Sequence, residues 1–432
     1  LVNPEGIIDY GSLMFIALER AKTAREAIDV MTSLVETHGF YSDGESFSIA
    51  DPNEVWILEM VGTGKGGKGA LWVARRVPDG FVSAHANKAR IRRFPTNDPE
   101  NTRYSKDVIR FAREKGWFTG QDRDFSFADA YDPESFGGIR HCEARVWQAF
   151  MRANPGAHLP IESVKGIEGA EPLPLWVKPA KPLGTRDVME LMRDHFEGTP
   201  FDLSRGVGAG PYACPYRWRP LTWKVGEAEY HNERAVSTQQ TGFSFVAQAR
   251  ASLPGPIGGV LWFGVDDTYS TVYVPMYAGI REVPHAFAEG TATFSRFSWD
   301  SAFWMFNAVA NLAYARYSDI IPIVRREQAA LEGAFLAMQP NIEKAALELW
   351  QRSPEAAREY LTAYSGKQAA MTMKTWRGLW ERLFVQFLDG NVRNEKGEVQ
   401  HPAWPEHWRK RIADESGDLL KVRRYQGEPV DD

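Results

Sequence analysis

Cysteine is nearly absent: Cys142 and Cys214 are the only two in 432 residues. That excludes a disulfide framework and any metal site built from cysteines alone. Long apolar runs are missing too, none approaching the ~20 residues a bilayer-spanning helix needs, so no membrane span is expected. Neither sign of charge dominates. With 51 basic and 56 acidic residues the net charge is −5, so no global field draws nucleic acid or an anionic membrane to the chain. The nine histidines never fall into an HExxH spacing, and neither a metal nor a cofactor is expected. No G-x-S-x-G elbow is present, which removes the usual serine-hydrolase signature. The opening LVNPEGIIDYGSL has neither a basic n-region nor an apolar h-region. Any export signal would lie ahead of Leu1, so the compartment stays open.

What is present reads as a layered mixture. Residues 10–34 carry an apolar stripe at helical spacing and predict one helix. SFSIA (46–50), VWILEM (55–60), ALWVARR (70–76) and FVSAHANKARI (81–91) predict four antiparallel strands joined by short turns. VWILEM is apolar almost throughout, which implies a sheet covered on both faces. Helices are expected over 105–115 and around 143–152, followed by an extended proline-rich segment over 172–184. Strand patterns return over 234–250, 258–265 and 270–277. Beyond residue 300 the pattern turns helical to about 389, and HPAWPEHW in the polar tail is expected to be pinned by its tryptophans. Trp56, Trp72, Trp262 and Trp304 sit inside these patterns and read as core.

Several motifs suggest chemistry. GTGKGG (62–67) matches G-x-G-x-x-G, but a strand follows where phosphate binding needs a helix N-terminus, so it reads as a hairpin loop. In KARIRR (88–93) strand alternation puts Lys88, Arg90 and Arg92 on one face, which reads first as a solvated face; Arg90 is also a candidate clamp for a peptide carboxylate, because a guanidinium fork matches that group. Asp266 and Asp267 follow a buried-looking strand; one of them could meet a substrate amine or a metal, Asp267 being the candidate for a substrate terminus, with a turn role for both as the alternative. Ser83, His85 and Asn87 form a polar row on one face if 81–91 is a strand, making His85 a candidate substrate contact. Cys142 beside His141, and Cys214, read as small buried side chains rather than nucleophiles.

The strings GIIDYGSLMFIALERAKTAREAI, GESFSIADPNEVWILEM, PDGFVSAHANKARI, FSFADAY, RHCEARVW, STQQTGFSFVAQAR, GGVLWFGVDDT and SRFSWDSAFWMFNAVAN resemble the C69 family of dipeptidases. These are N-terminal nucleophile hydrolases, distantly similar to the penicillin acylase and bile-salt hydrolase group. The resemblance runs through almost the whole chain and is strongest from Gly6 to Asn311. It implies an α+β fold, a four-layer αββα sandwich spanning 1–318 with a mixed insertion near 95–233, and a helical C-terminal extension over 319–432. It also implies a cysteine-type dipeptidase acting on short peptides through a thioester. Asn87 then matches the oxyanion-hole asparagine and Arg296 the active-site arginine. The family's nucleophilic N-terminal cysteine matches nothing in this chain, so a separate N-terminal fragment carrying it, or a truncation, is expected. A non-catalytic secernin-like binding protein and an acylase of non-peptide amides are the alternatives. Oligomeric state is left open.

Overall fold

The computed structural model of the protein describes residues 1–423. In chain order it contains α1 (Tyr10–Arg20), α2 (Ala24–His38), β1 (Gly44–Ala50), β2 (Val55–Gly62), β3 (Ala70–Arg76), β4 (Val82–Ser83) and β5 (Thr102–Tyr104). There follow α3 (Val108–Glu114), α4 (Phe127–Tyr131), α5 (Ala144–Ala153), β6 (Trp176–Val177), α6 (Thr185–Leu191), β7 (Thr222–Val225) and β8 (Ala228–His231). The remainder is β9 (Phe243–Gln248), α7 (Gly255–Gly258), β10 (Val260–Val265), β11 (Val274–Tyr277), α8 (Ala302–Ala315), α9 (Tyr317–Arg352), α10 (Pro354–Gln386), β12 (Val392–Arg393), β13 (Val399–Gln400) and α11 (Glu406–Ser416).

Helix and sheet mix throughout the described residues, and the pairings between these strands are antiparallel, with an isolated parallel bridge between Ile8 and Phe40. The first sheet runs β1-β2-β3-β5 and the second β11-β10-β9. Strand alternation splits β2 between two cores. Trp56, Leu58 and Met60 pack with Leu13, Ile28, Met31 and Val35 of α1 and α2. Ile57 and Val61 turn the other way, toward Ile91, Phe125 and Phe127. The expected two-sided burial of VWILEM is therefore observed, and Gly62–Gly69 is the expected hairpin link between β2 and β3.

Three expectations are corrected. Residues 10–34 form two helices, because Thr23 caps a new one: its hydroxyl accepts from Glu26 N, while the Glu26 carboxylate accepts from Lys22 N at 2.7 Å. A T-x-x-E capping signature was present in the sequence and outweighed the continuous apolar stripe. The segment 81–91 is strand only at Val82–Ser83. Nor do the tail tryptophans pin it, since Trp404 is half exposed and α11 buries no residue.

The second sheet shares one core with α8, α9 and α10, where Trp262, Tyr273, Phe306 and Trp376 are buried. The other face of β9 leaves Phe243 and Phe245 exposed. A polar knot fastens α9 to this sheet. Buried Glu332 accepts from the Arg193 guanidinium and, at 2.9 Å, from Tyr273 N.

Candidate active site

Carboxylates rather than a strand ladder hold the segment after β4. Glu59 on β2 is 1% exposed, and its two oxygens accept from Arg90 N at 2.6 Å and Ile91 N at 2.9 Å. Asp132 accepts from Ala89 N at 2.8 Å, and its carbonyl accepts from the Lys88 ammonium at 2.8 Å. Three consecutive amides are thus taken by side chains distant in sequence, which is why strand alternation fails here. Burial pushes the Glu59 carboxyl up to about 7, against the lowering by its two N–H donors and Arg90.

At the head of this pinned segment, Asn87 adopts the left-handed region (φ 57°), which asparagine tolerates better than most residues. It is exposed and lines a cavity of about 440 Å³ with Glu45, Ser46, Glu59, Met60, Lys88 and Tyr131. A wide helical turn over Gly138–Glu143 leads into α5 and faces Asn87 from behind. The Arg145 guanidinium donates to Asn87 Oδ1 at 2.9 Å and to Ala86 O at 3.3 Å, and its Nε donates to His141 O at 2.8 Å. The Cys142 thiol donates to Asn87 O at 3.6 Å. Among the described residues, Asn87 Nδ2 has no acceptor.

His85 lies nearby, its Nε2 2.8 Å from Ser48 Oγ, and burial with the neighbouring Arg90 charge pushes it down to about 4. It is a neutral imidazole at ordinary pH.

Arg90 is corrected as a substrate clamp. It is 7% exposed, and its guanidinium donates to Glu143 at 2.8 Å, to Ala84 O at 2.9 Å and to Pro174 O at 2.8 Å. With Leu175 O as a further acceptor at 3.3 Å, four of its five N–H donors are taken inside the protein and the group is buried, so it is not presented to a ligand's carboxylate. Asp267 is corrected likewise: fully buried, it accepts from the hydroxyls of Tyr216, Ser237 and Ser270 and from Tyr269 N. Its turn role is the one observed. Arg296 sits in an exposed turn, its N–H bonded to Thr293 O at 3.2 Å, six positions before α8 begins. It does not line the cavity at Asn87, and among the described residues it has no ion-pair partner.

Two groups, Arg145 and Glu59, are not legible in the sequence. Arg145 lies 58 residues from Asn87, and Glu59 looked like one more position in an apolar strand. Asp266 is 1% exposed and left-handed (φ 65°), accepts from Asn307 Nδ2 at 2.8 Å, and is pushed up to about 7 by burial. Burial raises the Cys214 thiol, so it stays protonated and poorly nucleophilic.

Residues 1–330 match peptidase family C69. A probable dipeptidase of Salmonella dublin is 28% identical over 268 residues, covering 62% of this chain and 54% of its own length. Probable dipeptidase B of Streptococcus pyogenes serotype M1 is 23% identical over 397 residues, 89% of this chain and 71% of its own. A probable dipeptidase of Latilactobacillus sakei is 23% identical over 349 residues, 81% and 63% respectively. The chain thus spans about half the length of the Salmonella relative and somewhat more of the others.

Proposed function

We propose, from the premise that the chain belongs to peptidase family C69, that it is the greater part of a cysteine-type dipeptidase hydrolysing short peptides. Three relatives carry probable-dipeptidase names, which supports peptide hydrolysis as the activity. In this reading the two sheets are the inner layers of a four-layer sandwich, with α1 and α2 outside one and α8 to α10 outside the other. The bare aromatic face of β9 supports such stacking, since an inner layer must present an apolar face to its neighbour.

The observation that carries the catalytic reading is Asn87, whose amide donor end is uncommitted at the wall of the cavity. A cysteine thiol from outside residues 1–432 attacks the scissile carbonyl carbon, its proton passing to an α-amine that titrates near ~8. The carbonyl oxygen becomes an oxyanion, and Asn87 Nδ2–H donates to it. The C–N bond then breaks, the amine leaves with the proton, and water hydrolyses the thioester. The family resemblance gives Arg296 the electrostatic support of the thiolate, although it does not line this cavity, and His85, two residues before Asn87 and also outside the lining, a hydrogen bond to the substrate.

The test uses the chain together with any residues encoded ahead of Leu1, assayed on dipeptides and on acyl-amides. Dipeptide cleavage with kcat lowered on the order of 10²–10³-fold by Asn87→Ala is expected. Undiminished turnover in that variant, or cleavage of acyl-amides alone, overturns the reading.

A further inference from the structure

Asn87 can serve as an oxyanion donor only if its nitrogen, not its oxygen, faces the reacting carbonyl. An amide on an exposed bend can present either end, and the two differ by one rotation about its last bond. What selects the end lies behind it. A guanidinium has five donors and no acceptor, so the amide atom that meets Arg145 must be the oxygen. Turning the nitrogen toward Arg145 would set donor against donor and lose the 2.9 Å bond.

From this geometry, and resting on the hydrolase reading above, we propose that Arg145 is a positioning residue: it fixes the amide of Asn87 with its donor end toward the cavity. Three further observations support the assignment. The Cys142 thiol, three positions earlier on the same helical run, bonds Asn87 O, so backbone and side chain of Asn87 are held from one support. Arg145 has no carboxylate partner among the described residues, although Arg90 and Arg140 nearby pair with Glu143 and Glu233. Burial, followed by the charge of Arg234, pushes Arg145 down to about 10, which leaves it a cation at neutral pH. A half-buried cation without a counter-ion is unfavourable for stability alone. Behind an amide it polarises the carbonyl and strengthens the opposite N–H as a donor, and the developing oxyanion supplies the missing negative charge.

The test is a double-mutant cycle in the same full-length protein, read as kcat and KM. Arg145→Met is expected to lower kcat on the order of tenfold or more, with KM changed less than about twofold, because the lost interaction belongs to the transition state. Arg145→Gln keeps a neutral donor within reach of Oδ1 and is expected to retain more kcat than Arg145→Met. In an Asn87→Ala background the Arg145 substitutions are expected to cost little more, since the group they act through is gone. Should Arg145→Met not fold, Arg145→Gln completes the cycle. Wild-type kcat in the Arg145 variants, or an undiminished loss on top of Asn87→Ala, overturns the proposal. Wild-type kcat in Asn87→Ala itself overturns the hydrolase reading instead, so the two failures are told apart.

Discussion

Glu59→Gln tests whether the carboxylate under the site behaves as its surroundings dictate. In the folded chain the carboxyl is pushed up to about 7 from 4.5, chiefly by burial. Between those values the folded state holds a proton that the unfolded chain has released. The stability this contributes is fully present below 4.5 and is lost as pH rises through about 7. Each pH unit in the window is worth ~1.4 kcal/mol, so wild type loses about 3 kcal/mol across it relative to a variant with no proton to release. At pH about 5 the neutral carboxyl and the Gln amide are close in shape, but the Gln NH₂ confronts a backbone N–H, so the variant is less stable by about 1–3 kcal/mol. By pH about 7.5 the two proteins become equal or the order reverses, given that ~3 kcal/mol loss. Asp266, pushed up to about 7, and His85, pushed down to about 4, titrate in both proteins and cancel in the difference. Urea unfolding at three pH values measures it. A difference independent of pH across this range means that the two backbone N–H bonds outweigh burial and Glu59 is ionised in both states, and it refutes the reasoning.

Arg90→Met should destabilise the fold by about 3–5 kcal/mol, because it strands the largely buried Glu143 carboxylate and two carbonyls. A loss below ~1 kcal/mol by urea unfolding would contradict its structural assignment. Arg296→Ala removes an exposed side chain with no partner among the described residues, so the melting temperature should stay where it is. A fall in kcat at unchanged stability would support its electrostatic role, and unchanged kcat would remove that role.

The legible parts of the fold were those where local pattern and tertiary outcome agree. ALWVARR is β3 residue for residue, and the glycine-rich stretch before it is the hairpin loop. The pattern failed where a distant side chain competes with the backbone ladder. Ser83, His85 and Asn87 alternate like a strand, yet Glu59 and Asp132 capture the amides of 89, 90 and 91 and bend the chain away. The site divides along the same line. Asn87 could be singled out by its resemblance context, whereas Arg145 could not, because nothing local ties a residue on α5 to a bend 58 positions earlier. Arg90 and Asp267 misled for the opposite reason: their charge suggested a ligand, and the interior had already supplied one.

The knot at Glu332 bears on how this molecule could be shortened or recombined. It joins residues 193, 273 and 332, drawn from a loop, a strand approach and the middle of a 36-residue helix. A version ending anywhere before position 332 would remove Glu332, leaving the Arg193 guanidinium with the more exposed Glu190 carboxylate alone and Tyr273 N without its acceptor. Trimming the long helices therefore costs the fold this junction, and grafts between relatives that exchange all three segments together would preserve it.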